Sequence, residues 1–256
     1  MILTVDVGNT NIVLGAYEND RLKFTSRVAT EASKMEDQYA IEFADILKLY
    51  GFKPSHFDGA IISTVVPPLI PVLKTAVARL LKCRVLVVGP GIKTGLNIKI
   101  DNPAILGADL VCAAVGALKK YKPPMIIFDL GTATTITAID KSGGLLGGSI
   151  IPGVRISLNA LSRATAQLPH ISTELESDIV IGTNTIECMK SGIVLGTASM
   201  MEGMIDRYCE ILGEETLVIA TGGLAPGIVK CCRRAVTTDS DLLSDGLYAI
   251  YKKNTE

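Results

Sequence analysis

Two short segments of this 256-residue chain carry the same order of residue types. Val5-Asp-Val-Gly-Asn-Thr-Asn11 and Phe128-Asp-Leu-Gly-Thr-Ala-Thr134 each end an apolar run with an aspartate, followed by an apolar residue, a glycine and small hydroxyl or amide residues. Glycine lets the main chain come close to a bulky anion. Small polar side chains offer donors without filling the space, and the N–H groups of such a turn can cradle phosphate oxygens. The carboxylates of Asp6 and Asp129 can each hold a cation directly or through water. One copy is a common turn. Two copies 123 residues apart, each after a matching strand, point to a duplicated domain, because solenoid repeats recur at far shorter periods. Two such turns facing each other would grip a triphosphate between lobes.

Two further segments bear on the same chemistry. Ala220-Thr-Gly-Gly-Leu224 is a strand end followed by paired glycines before an expected helix, and Gly222 and Gly223 would let a nucleotide's adenosine part lie close to main chain. Asp109, in Gly107-Ala-Asp109, falls at the start of an expected helix, where the helix dipole favours a negative charge. A carboxylate kept ionised there can accept a proton; in the bland reading it caps the helix.

The elements that must position these residues fall into two similar series. Ile2–Asp6, Ile12–Tyr17 and Leu22–Val28 read as a three-stranded antiparallel meander with turn chemistry at Asn19-Asp20. A helix is expected from Glu36 to Tyr50, stopped by Gly51, then a buried strand over Ala60–Val66, a helix over Leu69–Leu81 and a strand over Arg84–Val88. A third helix runs from about Gly107 to Tyr121. After Pro123-Pro124 the pattern restarts with strands at Met125–Phe128, Thr134–Ile139 and Leu145–Ile151. Helices at Val154–Thr165 and Thr185–Leu212, a strand at Leu217–Thr221 and a helix near Leu242–Tyr251 complete it. The expected architecture is α/β: two duplicated RNase H-like, actin-like lobes, each a mixed sheet with an antiparallel meander flanked by helices. The lobes are placed at 1–122 and 123–256, with the last helix able to pack back on the N-terminal lobe.

Composition narrows the function classes. The chain is 48% hydrophobic and 20% charged with a formal net charge of -1, which suits neither disorder nor a polyanion-binding surface, so nucleic acid is not an expected partner. The apolar run Ala60–Leu73 is broken by Ser63, Thr64 and three prolines, and the first segment is interrupted by Asp6; neither a membrane span nor a signal peptide is expected, and the expected compartment is the cytoplasm. Six cysteines without a C-x-x-C pair, and only His56 and His170, leave few zinc ligands. Reduced buried thiols are the expected state.

Together the motifs resemble the type III pantothenate kinases, a family of the acetate-kinase/hexokinase/actin superfamily. The resemblance extends from Met1 to about Tyr251 and rests on Asp6-Val-Gly-Asn-Thr-Asn11, Ser63-Thr-Val-Val-Pro67, Gly107-Ala-Asp109, Asp129-Leu-Gly-Thr-Ala-Thr134, Gly147-Gly-Ser-Ile-Ile-Pro-Gly153, Thr165-Ala-Gln-Leu-Pro169, Gly182-Thr-Asn-Thr185 and Thr221-Gly-Gly-Leu-Ala225. It implies ATP-dependent phosphorylation of a substrate hydroxyl, most directly that of pantothenate at the first step of coenzyme A biosynthesis. ATP phosphates would be bound by Asp6, Val7, Gly8, Asn9, Thr10, Asn11, Ile12 and Val13, with Thr132 also touching nucleotide. Asp109 would be the base, Asp129 would help hold a monovalent cation (potassium or ammonium), and Thr185 would touch the substrate. Magnesium is implied as the partner of ATP, with Asp6 holding it directly or through water, and so is a homodimer whose substrate site lies near the subunit interface.

Two positions in the substrate-binding set Ile100, Gly107, Ala108, Asp109, Leu110 and Thr185 depart from the family pattern. The family usually follows the base with an arginine that helps bind the pantothenate carboxylate, where this chain has Leu110. It usually has a tyrosine three residues before Pro103, where this chain has Ile100. Losing a bidentate, charge-assisted partner costs about 1.5–3 kcal/mol, or ten- to a few hundred-fold in affinity. Three readings stand at this point: a pantothenate kinase that holds the acid through another cation such as Lys99, Arg155 or Arg163; a kinase of the same mechanism for an uncharged alcohol; and a non-catalytic nucleotide-binding regulator.

Overall fold

The computed structural model describes residues 1–171 and 179–256. In chain order these form β1 (Ile2–Val7), β2 (Asn11–Glu18), β3 (Arg21–Ala29), α1 (Glu36–Leu49), β4 (Gly59–Thr64), α2 (Leu69–Leu81), β5 (Arg84–Val87), β6 (Asn97–Ile98), α3 (Ala108–Lys120), β7 (Met125–Leu130), β8 (Ala133–Ile139), β9 (Gly144–Pro152), α4 (Val154–Ala164), α5 (Thr185–Leu212), β10 (Leu217–Thr221), α6 (Ala225–Val229), β11 (Thr237–Thr238) and α7 (Leu242–Lys253). They sort into two compact units. One comprises Met1–Leu96, Asn102–Lys120 and Leu242–Glu256; the other comprises Asn97–Asp101 and Tyr121–Asp241.

The first unit is a five-stranded sheet in the order β3-β2-β1-β4-β5. β1 pairs antiparallel with β2 and parallel with β4, so Asp6 lies between Val13 and Ser63. Side chains alternate across the sheet. Leu3, Val5, Val7, Ile12, Leu14, Ala60 and Ile62 meet Tyr39, Phe43, Leu47, Leu69, Leu73 and Val77 of α1 and α2 in one apolar core. α7 covers the opposite face, where Tyr17 stacks on Tyr248 at 4.5 Å between ring centroids. Glycines permit that close cover: a Cβ on Gly59 would lie 1.8 Å from Tyr251 Oη. α3 and α7 also meet main chain to main chain, since a Cβ on Gly116 would lie 2.0 Å from the Leu242 carbonyl oxygen and one on Gly246 1.9 Å from that of Cys112. The Tyr17 hydroxyl donates to Asp245 Oδ1 at 2.7 Å, and Lys120 Nζ pairs with Asp245 Oδ2 at 2.5 Å, tying β2, α3 and α7 together.

The second unit repeats the plan. Its six-stranded sheet runs β11-β10-β7-β8-β9-β6, so β9-β8-β7-β10-β11 reproduces the order and pairing senses of the first sheet, with β6 added parallel to β9. Its core joins Ile126, Phe128, Leu130 and Ile136 to Val154 and Leu158 of α4, to Met189, Val194, Met201 and Ile205 of α5, and to Ile228 of α6. α5 starts from Asn184, whose side-chain oxygen accepts from the Glu187 amide at 3.0 Å. That capping bond supplies one of the acceptors a helix start lacks.

The repeat is not residue for residue. Val7 pairs with Ile12 across four intervening residues, whereas Leu130 pairs with Thr134 across three. The two turns therefore close differently: the Gly8 amide donates to the Asn11 carbonyl at 2.9 Å, and the Gly131 amide to the Ala133 carbonyl at 3.2 Å. The expected elements are present with ends shifted by a few residues. β6 and β11, of two residues each, add to them.

Candidate active site

The first turn begins where β1 leaves the sheet. Val7 and Ile12 are in the core at 1% and 0% exposure, so these two positions can offer a ligand main chain but no side chain. Asp6 and Asn11 are half-buried, and Asn9 and Thr10 are exposed. The turn is braced by the residue that follows β3: the Thr30 hydroxyl donates to the Gly8 carbonyl at 2.7 Å, and the Thr30 amide to the Thr10 carbonyl at 2.9 Å. The bracing fixes the main-chain shape of the turn before any ligand arrives, which is what electrostatic binding of an anion needs.

Asp109 is the second residue of α3, in the same unit. Its Oδ1 accepts from the Leu110 amide at 2.8 Å, so the carboxylate folds back on the helix start. Gly107 makes room for that fold, because a Cβ there would lie 2.3 Å from Oδ1. Burial raises the Asp109 carboxyl above the ordinary carboxylate value, and the amides of Leu110 and Asp109 itself offset part of the rise. The sequence suggested a carboxylate held ionised by the helix dipole; desolvation outweighs that effect. The outcome is a better base, since proton acceptors work best when their pKa approaches the working pH. Ala108 and Leu110 flank it, both half-buried.

In the second unit, the parallel pairing of β7 with β10 sets Asp129 beside Thr221. Gly222 follows in a left-handed conformation with φ 93, and a Cβ there would lie 2.7 Å from Asp129 Oδ1 and from the Leu130 carbonyl oxygen. Sheet register thus brings together two segments that the sequence offered separately. Thr132 is exposed at the tip of the second turn, and Gly223 is exposed beside Gly222. Gly153 packs under the same turn, where a Cβ would meet the Thr132 carbonyl oxygen at 2.0 Å.

Thr185 opens α5 and lines a cavity of about 730 Å³ with Leu161, Leu168, Cys188, Met189 and Ile193, a mostly apolar wall. Ile100 is half-buried in the second unit, its Cγ2 3.8 Å from where a Gly147 Cβ would stand. Lys99, a candidate partner for a substrate acid, is engaged elsewhere: its Nζ binds Asp140 Oδ2 at 2.5 Å and Ser142 Oγ at 3.2 Å. Arg155 and Arg163 are exposed on α4. The adjacent Cys231 and Cys232 spend their S–H groups on carbonyls one turn back, and burial pushes the Cys232 thiol up to about 11, so neither geometry nor charge activates that thiol.

The donor set suits a magnesium nucleotide. Among the described residues no cluster of three or more His, Cys, Asp or Glu side chains could hold a metal by itself. Magnesium does not require one, because it keeps several waters and is commonly held by one or two carboxylates and the phosphates of its nucleotide. Asp6, half-buried at a strand end beside a braced glycine turn, meets that description.

Two sheets of matching strand order, each opening on an aspartate-glycine turn, define a member of the actin-like α/β class. Solved structures agree on the fold: the activator of 2-hydroxyisocaproyl-CoA dehydratase from Clostridium difficile with bound ADPNP superposes with a TM-score of 0.59 at 12% identity, covering 98% of this chain and 94% of that one. The archaeal actin homologue Ta0583 does so with a TM-score of 0.51 at 12% identity, covering 98% and 99%. The family model for type III pantothenate kinase matches residues 2–207. A type III pantothenate kinase of Geobacillus kaustophilus strain HTA426 is 43% identical over 256 residues, covering 100% of this chain and 99% of the relative. The chain belongs to the type III pantothenate kinase family.

Proposed function

We propose that this protein transfers the γ-phosphoryl group of ATP to the hydroxyl of pantothenate, the first step of coenzyme A biosynthesis. One observation carries the reading: the family match over residues 2–207, with a relative aligned along the whole chain, coincides with Asp6, Asp109 and Asp129 standing at two strand ends and one helix start, each beside a glycine whose missing side chain the local geometry uses. Phosphoryl transfer is driven mainly by positioning and charge neutralisation, so a fixed main-chain cradle, one base and a bound cation suffice.

In this reading the braced turn from Asp6 to Val13 holds the nucleotide phosphates through its amides, with Asn9, Thr10 and Asn11 adding side-chain donors. The nucleotide contacts read for Thr132, Gly222 and Gly223 fall in the second unit. Asp6 would hold magnesium directly or through water, and the ion would supply neutralising charge to the phosphoryl oxygens. Asp109 accepts the substrate proton, Thr185 touches the substrate, and Asp129 helps hold a potassium or ammonium ion. The working form is a homodimer, a reading supported by exposed apolar side chains at this end of the unit, Leu161 in the cavity wall and Ile186 next to Thr185 in α5, since exposed apolar surface marks association.

A second reading is favoured by two observations at the substrate end. Leu110 offers no charge beside the base, and Lys99 is already paired with Asp140. A same-mechanism kinase acting on an uncharged alcohol fits those facts. Measuring ADP release with pantothenate, pantetheine and a panel of nucleosides and polyols separates the two: turnover of pantothenate at ordinary substrate levels sustains the proposal, and turnover confined to a neutral alcohol replaces it with the second reading.

A further inference from the structure

One fully buried hydroxyl in the first unit makes no hydrogen bond. Ser63, at the end of β4, is 0% exposed, and its hydroxyl has no hydrogen-bond partner. Neighbouring hydroxyls are used: Thr4, also 0% exposed, donates to the Gly15 carbonyl at 3.2 Å, and the Thr64 hydroxyl accepts from the Val66 amide at 2.9 Å. The Cys112 thiol, itself fully buried on α3, lies near Ser63 but makes no hydrogen bond with its hydroxyl. An unsatisfied buried hydroxyl is a net cost to folding, and alanine at that position would avoid it. Such exceptions are rare in native proteins and call for an explanation outside stability.

Register supplies the explanation. Ser63 is the direct parallel partner of Asp6, and directly paired residues project from the same face of a sheet. Adjacent strands lie about 4.8 Å apart, and a serine hydroxyl swings between staggered positions about a single side-chain bond, so Oγ can sweep toward the neighbouring carboxylate. Both residues are one short of the ends of their strands, at the carboxyl edge of the parallel pair. That edge is where ligands of α/β sheets bind. Cys112 and Asp109 sit one helical turn apart on α3, so the pair also lies against the element that carries the base.

We propose that Ser63 is a positioning residue for phosphoryl transfer, its hydroxyl turning to the Asp6 carboxylate to fix that group and its water shell when a magnesium nucleotide is bound. The proposal rests on the reading of Asp6 as the carboxylate on the magnesium side.

The test uses the full-length protein, a non-hydrolysable ATP analogue, thermal unfolding and a magnesium titration of analogue binding. Ser63→Ala should leave the melting temperature unchanged or raised and leave magnesium-free nucleotide affinity unchanged. It should raise the magnesium concentration for half-maximal binding about tenfold, the effect of one hydrogen bond to a charged group. Ser63→Cys, which keeps a weaker donor at the same place, should fall between parent and Ser63→Ala, and it carries the test if the alanine variant fails to fold. Asp6→Asn, run alongside, checks the underlying reading. If Asp6→Asn moves the magnesium requirement and neither Ser63 variant does, the Ser63 proposal is wrong and the role of Asp6 stands. If Asp6→Asn moves nothing, the reading of Asp6 fails first and the proposal falls with it. A Ser63→Ala protein that melts earlier with an unchanged magnesium requirement would make the hydroxyl purely structural and also overturn the proposal.

Discussion

At the scale of single residues, Asp109 carries two opposing demands. Burial raises its folded-state pKa above the ordinary 3.8, so the folded protein holds this proton more tightly than the unfolded chain. The sign follows: the group costs nothing below the ordinary carboxylate value, and its cost grows as pH rises through the raised folded value. Asp109→Asn should therefore raise the urea midpoint at neutral pH and flatten the loss of stability across that acidic window. It should also lower kcat by about 10²–10⁴, the usual worth of a general base. The parent's kcat should fall on acidification with an apparent pKa above the ordinary aspartate value. A variant with near-parent kcat would remove Asp109 from the chemistry. Leu110→Arg tests the acid end of the substrate: restoring a guanidinium beside the base should lower the KM for pantothenate by about ten- to a hundredfold with kcat little changed. An unchanged KM would show that the acid is held elsewhere.

Among the secondary-structure elements, the contact between α3 and α7 has the least slack. The atoms nearest an added methyl at Gly116 or Gly246 are main-chain carbonyl oxygens, which cannot swing aside as the end of a long side chain can. Gly116→Ala should thus push α3 off α7 and cost about 1–3 kcal/mol or more in chemical denaturation, the range for overpacking a close contact. A denaturation midpoint equal to that of the parent would show that the helices part without cost. This approach was not legible in the sequence, where Gly116 reads as one small residue in an apolar helix. The long periodic elements were legible: Leu69–Leu81, Thr185–Leu212 and Leu217–Thr221 fall where apolar spacing and turn residues put them. β6 and β11 were not, because two residues show no period and are strands only through their partners.

For the whole molecule, the mass in solution is the simplest check. If the exposed apolar side chains Leu161 and Ile186 meet a second copy, light scattering on the eluted protein should give twice the mass of one chain. Ile186→Lys should shift it toward the monomer while leaving thermal stability near the parent value, since Ile186 is 47% exposed. A monomer at micromolar concentration would remove the homodimer from the proposal. Among the described residues no helix is long and apolar enough to cross a membrane.

The sequence by itself determined the longer elements, the duplicated α/β plan and the family, because hydrophobic period, turn chemistry and aspartate-glycine spacing are properties of neighbours a few residues apart. It also singled out Asp6, Asp109 and Asp129, whose chemistry is carried by residue type. Only the tertiary structure decided what surrounds them. Sheet register set Gly222 against Asp129 and Ser63 beside Asp6, a one-residue difference separated the two turns, and an ion pair committed Lys99 to Asp140. Burial moved the proton affinity of Asp109 in the direction opposite to the helix dipole. Each of these depends on which distant segments pack together, and desolvation and partner choice are set by that packing rather than by the order of residues along the chain.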